Sequence, residues 1–389
     1  MKILLVTYSI SGGAGKACKR LYEALKSSGY QVKILKLEPG MNHDESIVSL
    51  YSTSQSFYLK KIISKIYKKL LDFRFKNYNK NYKLPFSVHK VENHPLVKWA
   101  DIINLHWVAD FIDYSRFFKL VSKPIVWTLH DMLPFSGGYH YSLDRIPNST
   151  KTERIIIDLK RKYLMKSNIK IVAPSKWLVS ISSRSEAFED FQHKHIFNPL
   201  PTNIFKPHNK EFSRRVLNLP EDGKIVVFSA DNITSHRKGM SILIKALNSL
   251  NLSNLTLVSI GRNEIQINSK IPHIHLGSLK DDYTISLLYS AANVSVVPSK
   301  EDNSPNTIIE SFACGCPVIA FNVGGISELL FSNKLGVLVD GFKNVDLSNA
   351  ITQALNKKYS KRLMRTFIES EFGYNVASKN YISVFKSFE

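Results

Sequence analysis

The stretch MKILLVTYSISGGAGKACKRLYEAL, residues 1–25, decides the reading of the fold. Lys2 to Tyr8 is a strand-like apolar run, Ser11-Gly12-Gly13-Ala14-Gly15-Lys16 is a glycine turn, and Ala17 to Leu25 has helical spacing. Strand, glycine turn and helix open a parallel α/β unit. Glycines let a backbone approach a phosphate, and the free amides of a helix start attract it, so Gly12 and Gly13 are candidate anion contacts. A plain tight turn is the competing reading. The pattern is not a P-loop, since Ala17 and Ile10 stand where that motif needs Ser or Thr and glycine. It is nearer the dinucleotide fingerprint, with Glu38 ending the next strand, but Cys18 holds the third glycine position. The apolar run before Thr7 falls short of the ~7–15 residues of a signal peptide.

The alternation continues outward. Gln31 to Leu37, Asp101 to Trp107, Pro124 to His130 and Ile169 to Ser175 are predicted strands with helical patterns between them. It restarts at Lys224 to Ala230, Leu255 to Ile260, Asn293 to Pro298 and Pro317 to Phe321. Two α/β units with parallel sheets follow, whose ligands sit at the carboxyl ends of the strands. Asn198-Pro199-Leu200-Pro201 is the predicted linker, dividing 1–198 from 199–373.

Across 389 residues, 53 Lys and Arg against 32 Asp and Glu leave a net charge of +21, which favours a polyanionic partner: nucleic acid, an acidic membrane surface or a phosphate-bearing substrate. Three cysteines make neither a disulfide framework nor a zinc site, and a reducing compartment is expected. No apolar run approaches the ~18 residues of a membrane span, so any membrane contact is expected to be peripheral. Residues 57–83 carry Leu59, Ile62, Ile63, Ile66, Tyr67, Leu70 and Leu71 at helical spacing among Lys60, Lys61, Lys65, Lys68 and Lys69, with Arg74, Lys76, Lys80 and Lys83 beyond. Such a basic amphipathic helix lies in an anionic lipid interface, or packs its apolar stripe on a core with its lysines in water.

The chemistry-bearing residues gather at strand ends. His106 closes one strand, His130 closes another and is followed by Asp131, and Gly137-Gly138 open the loop beyond. In the second half His236-Arg237-Lys238-Gly239 follows a strand, offering a guanidinium fork and a compact ammonium suited to a diphosphate, or a plain surface charge pair. Next comes Pro298-Ser299-Lys300-Glu301-Asp302-Asn303-Ser304-Pro305-Asn306-Thr307-Ile308-Ile309-Glu310. Ser304 as cap and Pro305 as first residue predict a helix start there, with free amides beside Asp302, and Gly315 then Pro317 predict its end. Capping by Asp302 and a buried salt bridge of Glu310 are the structural alternatives.

Taken in order, these motifs resemble the GT-B glycosyltransferases, the retaining group named family 4. They are Gly12 to Gly15, Leu105-His106-Trp107, Trp127-Thr128-Leu129-His130-Asp131, Pro134 to Gly138, Ala173 to Leu178, Arg237-Lys238-Gly239, Asp302 to Glu310 and Ala320 to Gly325. The likeness spans nearly the whole chain and is nearest to members that build bacterial surface polysaccharide, such as lipopolysaccharide O-antigen or capsule. It implies two Rossmann-like domains with a cleft between them and a C-terminal helix, 374–389, returning to the first.

By the same resemblance, Glu310 holds the ribose of a UDP- or GDP-linked sugar, and Asp302 with the adjacent amides holds the sugar itself. Lys238, helped by Arg237, stabilises the diphosphate, and His130 hydrogen-bonds the sugar near its reacting carbon. Asn303, Ser304, Asn306 and Thr307 complete the donor side, and His106, Asp131, Gly137 and Gly138 the acceptor side. Asp302 departs from the family's usual glutamate. No Asp-x-Asp triplet ends a strand, so neither metal nor cofactor is expected. The expected partners are a nucleotide-sugar, a glycan or lipid-linked glycan acceptor and an anionic membrane surface at 57–83, with no nucleic acid; the expected place is the cytoplasm or the inner membrane face. A nicotinamide oxidoreductase, a nucleic-acid binder and a catalytically silent sugar binder are the alternatives.

Overall fold

The computed structural model describes residues 1–40, 44–75, 82–146, 149–252, 254–263 and 270–388. The chain folds as two units, one of Met1–Phe197 with the residues from Ala377 onward, the other of Asn198–Val376.

The first unit is a parallel sheet of β1 (Lys2–Thr7), β2 (Gln31–Lys36), β3 (Ile47–Ser49), β4 (Ile102–Leu105), β5 (Ile125–Thr128), β6 (Ile169–Ala173) and β7 (Gln192–His195). Its strand order is β3-β2-β1-β4-β5-β6-β7. Side chains alternate across a strand, so Leu4 and Val6 of β1 join a cluster with Phe117 and Trp127, while Ile3 and Leu5 join another with Leu21, Tyr381 and Phe385. Both faces are therefore covered, as parallel sheets require. Tyr381 and Phe385 belong to the C-terminal helix Tyr374–Lys386, which returns to this unit, and the Tyr381 hydroxyl lies 3.2 Å from Thr128 Oγ1 on β5.

The second unit repeats the plan with β8 (Lys224–Asn232), β9 (Leu255–Arg262), β10 (His273–His275), β11 (Val294–Val297), β12 (Val318–Phe321) and β13 (Gly336–Val339), all parallel, in the order β10-β9-β8-β11-β12-β13. Every predicted strand is present. The four the sequence reading misses, β3, β7, β10 and β13, are the sheet edges. Edge strands pair on one side only, so polar runs such as Gln192-His193-Lys194-His195 are tolerated and the apolar signal fades.

The basic helix runs from Ser54 to Arg74, with Thr53 Oγ1 accepting from the Ser56 amide; Lys76 and Lys80 lie outside the described residues. Its orientation corrects the reading that put the apolar stripe on the core. Leu59, Ile62, Ile66 and Leu70 are each more than half exposed, Phe73 is 85% exposed, and Phe57 is the helix's buried residue. The inward face is Phe57, Ser64, Tyr67, Lys68, Leu71 and Asp72, so of the predicted stripe only Tyr67 and Leu71 turn toward the protein. Among the described residues, no helix is long and apolar enough to cross a membrane.

Candidate functional site

In sheets of this order the chain reverses direction between the first and fourth strands, and the carboxyl ends there are the natural ligand position. The predicted residues gather at those points in both units.

In the first unit Gly12 has φ +70°, the left-handed region that glycine accepts freely. Gly15 is forced by contact, since a Cβ there would lie 2.6 Å from Ser9 O, whereas Gly13 has room for a side chain. His106, just beyond β4, is buried and stacks on His130, just beyond β5, with ring centroids 5.2 Å apart. Its Nε2 lies 2.8 Å from Asn104 Oδ1 and its Nδ1 3.0 Å from His130 Nε2. The Asn104 amide donates to Val126 O and to Thr128 Oγ1, which turns its oxygen toward His106. His106 Nε2 therefore carries the proton, and its Nδ1 accepts from His130 Nε2–H. Burial, partly opposed by the Asp131 charge, pushes the His130 imidazole down to about 4; burial and His130 hold His106 well below its ordinary value. Both rings are neutral at physiological pH.

Asp131 has a different occupation. Its carboxylate accepts from His140 Nδ1 at 2.7 Å, Trp107 Nε1 at 3.0 Å and the Leu133 amide at 2.9 Å. Burial alone would raise this carboxyl, but the His140 charge and these hydrogen bonds outweigh it and hold it low. Conversely His140, which burial would lower, is raised by Asp131. Gly137 and Gly138 pack on the helix Thr150–Leu164, where a Cβ on Gly137 would come 2.4 Å from Glu153 Cβ, and the Gly138 carbonyl accepts from the Lys83 amide. From the same helix the buried Lys160 donates to the carbonyls of Leu133 and Ser136, so it ties down the loop after Asp131. Burial pushes its amine down to about 7. The sequence reading missed Asn104, His140 and Lys160; only Asn104, a polar residue inside an apolar strand, carried a legible signal.

In the second unit the turn after β8, His236–Lys238, meets the loop after β11. Lys238 Nζ lies 2.6 Å from Asp302 Oδ2, to which Ser299 Oγ donates at 3.0 Å; Arg237 Nη1 lies 3.7 Å from the same oxygen and donates to Glu301 O at 2.7 Å. The Asn303 amide donates to Oδ1. Burial would raise the Asp302 carboxyl; the Lys238 and Arg237 charges and these bonds hold it below its ordinary value. Two glycines allow the approach, both with positive φ. A Cβ on Gly239 would meet Pro298 O at 1.8 Å, and one on Gly324 would meet Asp302 O at 1.8 Å.

The helix beyond is Asn306–Ala313 with Pro305 as its cap, one residue later than predicted. Pro305 φ is −69°, which serves a cap as well as a first turn, and Ser304 makes no capping bond. Gly315 ends it with φ +72°, as expected. Ser304, Asn306 and Thr307 are half-buried at this helix start, and Asn303 and Glu310 are buried. The second unit thus gathers two cations, a buried carboxylate and a helix start at one switch point, an arrangement fit for a phosphoryl ester bearing a polyol.

Residues 209–370 match the family model described as Glycosyl transferases group 1. Over 285 residues, 64% of this chain and 61% of the relative, the chain is 25% identical to the D-inositol 3-phosphate glycosyltransferase of Arthrobacter sp. (strain FB24). It spans about 61–62% of the length of the first such curated relatives. Among solved structures, sucrose-phosphate synthase from Thermosynechococcus elongatus superposes with TM-score 0.74 at 17% identity, covering 100% of this chain and 99% of that one. Anabaena Alr3699/HepE in complex with UDP and glucose superposes with TM-score 0.69 at 18% identity, covering 100% of each. The chain therefore has the GT-B fold, and within it residues 209–370 conform to the glycosyl transferases group 1 family.

Proposed function

We propose that the protein is a retaining glycosyltransferase that moves a sugar from a UDP- or GDP-linked donor to a glycan or lipid-linked glycan, without a metal, in the assembly of a surface polysaccharide. The observation that carries this reading is the buried Asp302 carboxylate gripped by Lys238 inside the segment that matches glycosyl transferases. A solved neighbour holding UDP and glucose supports a uridine donor.

Cleaving a sugar–phosphate bond builds negative charge on the departing diphosphate, and groups that meet that charge as it forms lower the barrier. Lys238 and Arg237 supply it, Asp302 fixes Lys238 while receiving a sugar hydroxyl, and Glu310 takes the ribose. His130 hydrogen-bonds the sugar near its reacting carbon. The C1–O bond to phosphate breaks as the acceptor oxygen bonds C1 on the same face, and the acceptor's proton passes to the departing phosphate oxygen. Cations and a carboxylate at the second unit's switch point favour this over a nicotinamide oxidoreductase or a nucleic-acid binder.

The exposed stripe of helix Ser54–Arg74 supports a reading in which this chemistry works at an anionic membrane face, on the cytoplasmic side where nucleotide-sugars are made. Leu59, Ile62, Ile66, Leu70 and Phe73 recur at intervals of three and four residues and are bordered by Lys65 and Lys69. A UDP-, GDP- and ADP-sugar panel in EDTA, scored by mass spectrometry for nucleotide release and by NMR for product anomer, tests the reading. Release with retained configuration is expected; no release from any donor, or an inverted anomer, would contradict it.

A further inference from the structure

Beneath helix Ser54–Arg74 the first unit holds a cavity of about 170 Å³, well beyond the ~10–15 Å³ that one water needs. Lys61, Lys65 and Lys68 line it from the helix. Tyr8 and Leu37, at the carboxyl ends of β1 and β2, close the opposite side with Asp110.

We propose that this cavity binds the phosphoryl group of the acceptor substrate. The inference rests on reading the chain as a transferase and assigns the chemical class of its acceptor.

Three observations converge. The first is charge: the half-buried Lys68 lines the cavity, the exposed Lys61 and Lys65 stand at its rim, Asp72 is also on its wall and Asp110 is occupied by Lys83. Burial and then the nearby Lys83 charge push the Lys68 amine below its ordinary value, against the pull of Asp110 and Asp72, so Lys68 stands where water screens its charge less well than at the surface. A bound dianion relieves that repulsion. His89, on the same wall, is pushed down to about 4 by burial and leaves the balance to the lysines and aspartates.

The second is position. Tyr8 packs edge-on against Trp107 with centroids 5.6 Å apart, its amide donates to Trp107 O, and the Trp107 indole N–H donates to Asp131. One aromatic residue therefore separates the cavity from the His130–Asp131 site, so a phosphoryl group here leaves the remainder of its molecule near the reacting end.

The third is the opposite face of the same helix, where Leu59, Ile62, Ile66, Leu70 and Phe73 stand exposed. An amphiphile with a phosphoryl head reaches this cavity beside a surface that suits its tail. A soluble sugar phosphate shares the head chemistry but makes no use of the stripe.

Calorimetric titration of the full chain distinguishes these sources. The probes are dihexanoyl phosphatidic acid, dihexanoyl phosphatidylcholine, glucose 6-phosphate and inorganic phosphate, against the parent and the Lys65→Gln/Lys68→Gln variant, with thermal unfolding as a folding control. Phosphatidic acid is expected to bind at least about tenfold tighter than phosphatidylcholine, and the variant to lose about tenfold. The same lysine-dependent gain confined to glucose 6-phosphate supports the phosphoryl site and assigns a soluble acceptor. Phosphoryl probes bound equally by parent and variant, phosphatidylcholine bound as well as phosphatidic acid with no gain for glucose 6-phosphate, or inorganic phosphate bound as tightly as every organic probe, overturns the proposal. UDP-glucose and GDP-mannose titrated in parallel separate the two readings: failure of both to bind the parent counts against the transferase, while lysine-dependent phosphoryl binding is scored independently.

Discussion

The Lys238 ammonium stands 2.6 Å from the Asp302 carboxylate, joining the turn after β8 to the loop after β11 at the point where the second sheet changes direction. Removing one member of a buried pair leaves the other uncompensated and costs about 3–5 kcal/mol, although Arg237 and Ser299 temper the loss here. Lys238→Met is expected to lower the stability of the second unit by roughly 2–3 kcal/mol in urea titration. Adding Asp302→Asn should recover at least half of it. Two losses that simply add would mean that the pair carries no coupling.

Gly324 tests the same junction through the backbone. With φ +56° and a would-be Cβ 1.8 Å from Asp302 O, Gly324→Ala must displace the loop that carries the carboxylate. A stability loss above about 2 kcal/mol together with weakened nucleotide-sugar binding is expected. Wild-type binding in Gly324→Ala would show that the loop's position is immaterial.

The Asp131–His140 pair makes a pH prediction. His140 is raised in the folded chain, so its contribution is full below the unfolded value near ~6.5 and fades as pH rises through the folded one. Asp131 is lowered, so its share is present above ~3.9 and is lost only as pH falls through its folded value. The melting-temperature gap between parent and His140→Gln should therefore be widest near about pH 5–6 and narrow toward about pH 9. A gap that widens with pH contradicts the assignment.

His130 works as a neutral imidazole in this account, pushed down to about 4 by burial. The ratio kcat/KM should be flat from about pH 6 upward and fall as pH approaches that value, and His130→Ala should lose roughly a hundredfold. A rise in rate on acidification would require the charged ring and refute the tautomer argued from Asn104.

Sheet interiors and the glycine-bounded loops were legible because a buried parallel strand must be apolar and because Gly239, Gly315 and Gly324 occupy backbone conformations or contacts few other residues tolerate. The edges were not, since β7 and β10 owe their pairing to a neighbour rather than to their own composition. The orientation of helix Ser54–Arg74 was equally hidden: an amphipathic pattern reports two unlike faces, not which one meets the protein, and here Lys68 turns inward over a cavity with Ser64, Tyr67 and Leu71 while most of the apolar stripe faces out. His140 and Lys160 escaped notice because their partners, Asp131 and the carbonyls of Leu133 and Ser136, are set by how a loop and a helix pack.

That outward apolar face separates stability from binding. Ile66 and Phe73 are 57% and 85% exposed, so Ile66→Asp/Phe73→Asp should change stability by less than about 0.5 kcal/mol. The same variant should abolish flotation with anionic vesicles. Unchanged flotation would remove the membrane from the account.

The most direct test is calorimetric titration of UDP-glucose and GDP-mannose into the parent and into Lys238→Ala, each verified as folded. At least one donor should bind the parent and bind the variant about tenfold or more weakly, as loss of a charge-assisted phosphate contact requires. Equal affinities in the two proteins would contradict the claim that Lys238 and Asp302 form the donor diphosphate site.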